Sequence, residues 1–278
     1  MATKRALGVC TWTYGPRGLE DIAASVSKLG FDGVELHGDL DAFEPRTVGR
    51  LLADHGLRVL SLTPANDVAG APVDPAHPDA AIRRGAVDYY RRLAEFAAAL
   101  DRPLMSVHGH VGRIAALASQ AEERKLLIES LAAIAAQART LGVELVYEVL
   151  NRYESHLVNT GEDALALLDE VGASNLRVLL DAYHMNIEEG RPADAVRAVG
   201  KRLGLFHVAD SNRQGIGRGH TDFAALISAL EAIDYRGPII VEATAPGPNP
   251  FTPVKDGDFV GLLEGFLGET RAWLAARH

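Results

Sequence analysis

The sequence predicts an α/β fold, a (β/α)8 TIM barrel formed as a single domain over residues 1–278. Short β-type runs alternate with longer Ala- and Leu-rich runs of helical period along the whole chain. This alternation is typical of βα units and a parallel sheet. Eight runs of each kind fit in 278 residues, and barrels of this type commonly occupy roughly 250 residues as one domain. A doubly wound open sheet is the alternative packing.

The predicted elements alternate strictly. The strands are Leu7–Trp12, Gly33–His37, Arg58–Leu62, Leu104–His108, Glu144–Val149, Arg177–Asp181, Gly204–Val208 and Pro238–Glu242. The helices are 18–29, 45–55, 79–100, 120–141, 161–171, 192–202, 222–232 and 257–276. Gly30 and Gly142 each end a helix, and Thr160 with Asp163 has the spacing of a capping box. The aperiodic stretch 64–78, rich in Pro and Gly, predicts a long loop after the third strand, and such loops often act as lids.

Composition narrows the class of partner. The formal net charge is −9, with 28 Lys and Arg against 37 Asp and Glu, and 47% of the residues are hydrophobic. An acidic chain does not favour nucleic acid or an anionic membrane as its main partner. Cys10, the only cysteine, has no internal disulfide partner, which fits a reducing compartment. Neither a signal-peptide core nor a run of about 18 apolar residues occurs, and we expect a cytoplasmic protein acting on a small molecule.

Four consecutive predicted strands end in an ionisable residue, namely Glu148, Asp181, His207 and Glu242. The active site of a barrel forms at the carboxyl ends of its strands, and neighbouring strands lie about 4.8 Å apart, so these side chains must converge. Three carboxylates so close together repel each other unless a cation or protons lie between them. Oxygen-rich ligation with one imidazole favours Mn²⁺, with Mg²⁺, Co²⁺ or Zn²⁺ as alternatives.

Further polar residues follow three of these strands. Glu154, His184 and Arg213 lie within six residues of Glu148, Asp181 and His207, respectively. Taken singly, such residues are more often ordinary loop polarity. No role is assigned to four residues nearer the N-terminus: Glu35, His37, His108 and His110. Four arginines would meet a substrate phosphate only if their loops fold inward: Arg113, Arg152, Arg213 and Arg218.

The C-terminal half resembles a known family. The segments that carry the resemblance are Glu148–Glu154 (EVLNRYE), Leu180–Glu189 (LDAYHMNIEE), His207 followed by Asn212 and Arg213, Gly217–His220 (GRGH), and Glu242. Over about residues 143–244 the chain is similar to the sugar isomerase/epimerase superfamily with a xylose isomerase-like barrel. Within that superfamily it is most similar to the D-tagatose 3-epimerase (ketose 3-epimerase) group.

The resemblance implies a set of roles. Glu148, Asp181, His207 and Glu242 would be the metal ligands, and Glu148 with Glu242 would also form the acid/base pair for C3 epimerisation of a ketose. One carboxylate would remove the C3 proton, the metal would stabilise the resulting enediolate, and the other carboxylate would return a proton to the opposite face. Glu154, His184 and Arg213 would hold the oxygens at the ketose end of the sugar. A homo-oligomer, dimer or tetramer, is also implied.

Three alternatives remain at this point. An aldose/ketose isomerase of the same superfamily, acting for example on hydroxypyruvate, would use the same ligands and glutamates. A dehydratase or other lyase acting on a keto sugar would begin with the same proton abstraction. A metal-dependent endonuclease is more distant, because it requires further His and Asp ligands and a basic groove for DNA.

Overall fold

Eight parallel strands close into a barrel in the computed structural model, which describes residues 5–249 and 252–277. The barrel strands are β1 (Leu7–Cys10), β2 (Gly33–Gly38), β3 (Arg58–Pro64), β6 (Leu104–Val107), β7 (Leu145–Glu148), β8 (Leu176–Asp181), β9 (Leu203–Val208) and β10 (Ile239–Val241). Their order around the barrel is β1-β10-β9-β8-β7-β6-β3-β2. The pairing of β1 with β10, through Leu7 and Ile239, closes the ring. This closure confirms the predicted barrel and excludes an open sheet.

Helices surround the barrel close to their predicted positions. They are α1 (Leu19–Lys28), α2 (Pro45–Asp54), α3 (Ala80–Ala98), α4 (Gln120–Thr140), α5 (Gly161–Val171), α6 (Ala182–Glu188), α7 (Pro192–Val199), α8 (Phe223–Ala232) and α9 (Phe259–Ala275). Within the described residues, none of these helices is long and apolar enough to span a membrane. The predicted domain bounds, 1–278, include a few residues outside the described ranges.

Local signals explain several helix ends. Thr160 and Asp163 form the predicted capping box, in which the Thr160 hydroxyl accepts from the Asp163 amide and the Asp163 carboxylate accepts from the Thr160 amide. Gly30 and Gly142 take positive φ angles of 80° and 71° directly after helices. The chain therefore leaves each helix by a turn that favours glycine.

Two elements differ from the prediction. The short helix α6 follows β8 directly, because the Asp181 carboxylate accepts from the Tyr183 amide and caps it. The stretch 64–78 is not a plain loop, since β4 (Asp67–Val68) and β5 (Ala71–Pro72) form a two-stranded hairpin within it.

A buried cluster of four ionisable side chains, the Arg113 cluster, ties three loops together. It consists of Asp74 after β3, Arg113 after β6, Glu123 on α4 and His156 after β7. The guanidinium of Arg113 donates to both Asp74 oxygens at 2.7 and 3.1 Å and also contacts Glu123. His156 Nε2 lies 2.8 Å from Glu123 Oε2. Asp74 and Glu123 are fully buried, so this cluster anchors the end of the long stretch rather than leaving it free as a lid.

Replacing Arg113 with Met should strongly destabilise the fold. Removing one partner of a buried ion pair leaves an uncompensated charge and costs about 3–5 kcal/mol in the free energy of unfolding. The matched control is Arg124→Met, which removes an exposed pair with Glu170 and should cost about 0–1 kcal/mol. Urea unfolding of the wild type, Arg113→Met and Arg124→Met measures the loss of stability in each variant. Equal losses in the two variants would contradict the structural role of the Arg113 cluster.

The same cluster predicts a pH dependence of stability. Burial acts to raise the pKa of Glu123, but the Ala118 amide, Arg113 and His156 outweigh it and lower this pKa from 4.5 to about 2. Because the folded-state pKa is depressed, the stabilisation is present above about pH 4.5 and is lost as the pH falls towards 2. It amounts to about 3 kcal/mol. The stability difference between wild type and Glu123→Gln, measured by urea unfolding, should therefore shrink from pH 5 to pH 2.5, whereas a constant difference would contradict this assignment.

Candidate metal and active site

The alternation of side chains along four strands places the predicted site residues inside the barrel. Val146, Leu179, Leu205 and Ile240 form, with Cys10, a fully buried apolar cluster. Side chains two residues apart on a strand share a face, so the next inward-facing residues are Glu148, Asp181, His207 and Glu242. The apolar cluster therefore forms a layer directly beneath four ionisable side chains at the carboxyl end of the barrel.

These four side chains converge. Each of Glu148, Asp181, His207 and Glu242 offers one ligand atom, and the four atoms all lie within 4.8 Å of one another. All four residues are buried, with exposed fractions between 0 and 6%. His207 Nδ1 lies 3.5 Å from Glu242 Oε2 and 3.7 Å from Glu148 Oε1. The sequence prediction that these residues meet is therefore in agreement with the structure.

The donor atoms fit a divalent cation. Among the described residues, Asp181 Oδ2 and His207 Nδ1 are buried and have no hydrogen-bond partner. Buried polar atoms without partners are rare, because each one costs free energy on folding. Three carboxylates and one imidazole are ligands that Mn²⁺, Mg²⁺ and Co²⁺ accept. A cation between the four side chains would satisfy both orphaned atoms at once.

The pKa shifts of the three carboxylates in this cluster also favour a bound cation. Burial, with the neighbouring carboxylate of Glu242, raises the pKa of Asp181 to about 7. Burial also raises the pKa of Glu148 well above its usual range, with a further contribution from Glu242 and against the opposing effect of His207. Burial acts in the same direction on Glu242, but Arg213 and His207 outweigh it and lower its pKa. The carboxylates repel one another, and a cation would relieve this repulsion.

Two of the predicted substrate-binding residues share a hydrogen-bond network. His184, on α6, and Glu154, after β7, are both bonded to the side-chain amide of Asn151, at 2.7 Å from His184 Nδ1 and 2.9 Å from Glu154 Oε1. The backbone amide of Asn151 also lies 3.3 Å from His184 Nδ1. Nδ1 therefore accepts, and His184 Nε2 is left as the donor atom, 3.6 Å from Asp181 Oδ2.

Arg213 is the buried cation of the site. Its Nη2 donates to Glu242 Oε2 at 3.2 Å, and its Nη1 lies 3.7 Å from Glu154 Oε1. The guanidinium packs over the Tyr183 ring, 4.6 Å from the ring centroid. Its backbone takes a positive φ of 60°, which is rare for residues other than glycine and is held by a 2.8 Å bond from the Thr244 amide to the Arg213 carbonyl. The strained backbone at Arg213 therefore accompanies the orientation of its side chain towards Glu242 and Glu154.

A cavity of about 270 Å³ opens above the four converging residues. Glu148 and Glu242 line it together with Glu154, His184 and Arg213. Asp181 and His207 are not among its lining residues in the described chain. The two glutamates therefore face the space a substrate would occupy, whereas the other two ligand candidates lie beneath them.

Residues 23–258 match the family described as xylose isomerase-like TIM barrel. The matched segment includes most of the chain and all seven predicted site residues. The chain belongs to this family. The resemblance inferred from the motifs is therefore confirmed.

Several relatives of this chain are named as sugar epimerases. The L-ribulose 3-epimerase of Methylomonas sp. (strain DH-1) is 34% identical over 237 residues, covering 83% of this chain and 80% of that protein. The D-psicose 3-epimerase of Agrobacterium fabrum is 32% identical, with coverages of 85% and 80%. The crystal structure of a D-allulose 3-epimerase from Methylomonas sp. superposes with a TM-score of 0.85 at 30% identity over the full length of both chains. The expected similarity to ketose 3-epimerases, which are isomerases, is thus confirmed.

Of the four arginines considered as contacts for a substrate phosphate, three form ion pairs away from the cavity. Arg113 belongs to the Arg113 cluster, Arg152 pairs with Glu188 at 2.7 Å, and Arg218 pairs with Glu269 at 2.6 Å. Among the described residues that line the barrel cavity, Arg213 is the sole Arg or Lys. The loops of the other three do not bring them to the site.

The sequence-based search assigned no role to several residues that lie at the site. Trp12, two residues beyond Cys10, donates from its indole N–H to Glu242 Oε1 at 2.7 Å. His37, Asn66 and His108 line the cavity, and His110 is absent from the described lining. The rule applied to the last four strands, that a polar residue at a strand end faces the axis, would also have found Trp12 and His37.

Proposed function

We propose that this chain is a divalent-metal-dependent ketose 3-epimerase. The observation that carries the proposal is the placement of Glu148 and Glu242, which come from strands on either side of Asp181 and His207 and both line one cavity. Inversion at a carbon next to a carbonyl requires a proton acceptor on one face and a proton donor on the other. Relatives at 34% and 32% identity are named L-ribulose 3-epimerase and D-psicose 3-epimerase.

Glu148, Asp181, His207 and Glu242 would hold the metal, for which we propose Mn²⁺. When bound, a divalent cation polarises the ketose carbonyl and stabilises negative charge on its oxygen. Three carboxylates beside one imidazole, with Asp181 Oδ2 and His207 Nδ1 lacking other partners in the described structure, support this assignment.

The protein's own side chains would carry the proton transfers. One of the pair Glu148 and Glu242 removes the C3 proton, and the other delivers a proton to the opposite face of the planar enediolate. Glu154, His184 and Arg213 bind oxygens at the ketose end. Of these, the His184 Nε2 donor and the Arg213 guanidinium favour the oxygens on which negative charge develops.

An unphosphorylated sugar fits this cavity better than a sugar phosphate. Arg213, its one described Arg or Lys, already faces Glu242 and Glu154. Away from the glutamates the cavity presents His37, Asn66 and His108. Burial lowers the pKa of both imidazoles, so these groups are neutral hydrogen-bonding partners suited to hydroxyls.

A cytoplasmic location and a homo-oligomer stay predictions.

Product analysis tests the proposal. The purified protein is incubated with Mn²⁺ and, separately, with D-fructose, D-psicose, D-tagatose and L-ribulose, and the sugars are separated by chromatography. The proposal predicts the C3 epimer of at least one ketose, with no loss of mass. An aldose product would instead identify an isomerase, and a dehydrated product would identify a lyase, and either result alone would overturn the epimerase assignment.

A further inference from the structure

Glu35 is a fully buried carboxylate inside the barrel that belongs to neither the four ligand candidates nor the described cavity lining. Strand register places it beside Cys10 on β1 and beside Ser61 on β3. It thus lies one layer below the rim, in line with the apolar cluster. A carboxylate in such a position is costly unless its oxygens are hydrogen-bonded.

The oxygens of Glu35 have three donors. The Ser61 hydroxyl donates to Oε2 at 2.6 Å, and the Cys10 thiol donates to Oε1 at 3.3 Å. The third contact reaches across the barrel, where His207 Nε2 lies 3.2 Å from Glu35 Oε2. Burial and the Glu35 charge raise the pKa of Cys10 well above its usual range, which keeps the thiol in its donating form.

We infer that Glu35 is a positioning residue for His207, and that it makes His207 a metal ligand through Nδ1. The inference rests on the proposed function, because it presupposes a metal at the four converging side chains. An imidazole that donates a proton from Nε2 keeps its lone pair on Nδ1. His207 Nδ1 is the nitrogen that lies near Glu148 and Glu242 and has no partner in the described structure.

Glu35 also belongs to a second buried group, with Cys10 and Glu242, whose ligand atoms lie within 4.8 Å of one another. Both of its oxygens already accept hydrogen bonds, which favours a positioning role over direct metal binding. Ser61 and Cys10 engage one oxygen each, and both donors come from neighbouring strands that fix the carboxylate against the barrel wall. Carboxylates that hold a ligating histidine in this way orient the ring and raise its basicity, and their loss typically weakens metal binding 10–100-fold. Ser61 and Cys10 then act one step further out, by holding Glu35.

The variant Glu35→Gln tests this role, because it keeps the side-chain volume and removes the charge. Mn²⁺ affinity is measured by competition with a fluorescent chelator, without sugar. We expect the dissociation constant for Mn²⁺ to rise about 10–100-fold. Spectra of ¹⁵N-histidine-labelled protein loaded with Mg²⁺, which unlike Mn²⁺ is diamagnetic, should show the Nε2–H form of His207 in the wild type and a smaller share of it in the variant.

Two matched variants separate positioning from general damage. Ser61→Ala leaves the Glu35 carboxylate in place and should weaken Mn²⁺ binding in the same direction but less. Glu123→Gln removes a second fully buried carboxylate, in the Arg113 cluster, and should leave the Mn²⁺ affinity of the folded protein unchanged.

The outcomes distinguish this inference from the proposed function. Tight Mn²⁺ binding by the wild type, with the same affinity and His207 tautomer in Glu35→Gln, would overturn the role of Glu35 alone. A wild type that binds no divalent cation would overturn the proposed metal site and this inference together. A wild type that binds Mn²⁺ in a Glu35-dependent manner but epimerises no ketose would support the positioning role and contradict the proposed function.

Discussion

Glu148→Gln and Glu242→Gln should each lower the rate of ketose C3 epimerisation by about 10²–10⁴-fold. The amide keeps the shape of the side chain and one oxygen for the metal, but it can neither accept nor deliver the proton at pH 7. Both residues line the cavity, and a water molecule that replaced either carboxylate would transfer the proton much less efficiently. The measurement is the initial rate of epimer formation at saturating Mn²⁺.

The two variants should also differ from each other in a diagnostic way. If each glutamate serves one face of the sugar, the variant that lacks one base still exchanges the C3 proton of the epimer facing the other base. Glu148→Gln and Glu242→Gln should therefore exchange with D₂O the C3 protons of opposite epimers. Glu231→Gln, which changes an exposed glutamate on α8, is the control and should retain full activity. Substantial epimerisation by either active-site variant would exclude the paired-glutamate mechanism.

Removal of the metal should abolish turnover and lower the melting temperature. A cation held only by the folded chain stabilises it, by about 2.7 kcal/mol at a free concentration near 100 times the dissociation constant. For a chain of this size that corresponds to roughly 5 °C in Tm. Calorimetry of chelator-treated protein, before and after Mn²⁺ is restored, measures the shift, and restored turnover accompanies it.

Asp181→Asn is the control for the metal effect. Asp181 Oδ2 is buried without a hydrogen-bond partner in the described structure while Oδ1 caps α6, so the amide weakens the cation site and preserves the cap. The Mn²⁺-dependent rise in Tm should largely disappear in this variant. An unchanged rise would place the bound cation elsewhere on the protein.

The C-terminal half of the site was predictable because its signal is periodic. Each of Glu148, Asp181, His207 and Glu242 ends an apolar run whose alternate members fill the barrel, and strand alternation carries that order directly into space. The helix α6 had a local signal as well, since Asp181 is a good N-cap residue. The predicted helices did not include it, because Asp181 was assigned to the metal site.

The contribution of the N-terminal half of the chain depends on long-range contacts, which no local sequence pattern encodes. Asp74 anchors the long stretch after β3 through Arg113, 39 residues away, and through Arg113 to Glu123. The role inferred for Glu35 depends on His207, 172 residues away on the far side of the barrel. Such pairings follow from barrel closure and loop conformation, which is why the sequence left Glu35 and His108 without assigned roles.

The most direct test of the central claim is the position at which deuterium enters a ketose. Chelator-stripped protein is incubated in D₂O with D-psicose or L-ribulose, with and without Mn²⁺, and the sugars are followed by NMR. The account predicts Mn²⁺-dependent deuterium at C3 together with the C3 epimer. Deuterium at C1 with an aldose product, or exchange that does not depend on a divalent cation, would contradict it.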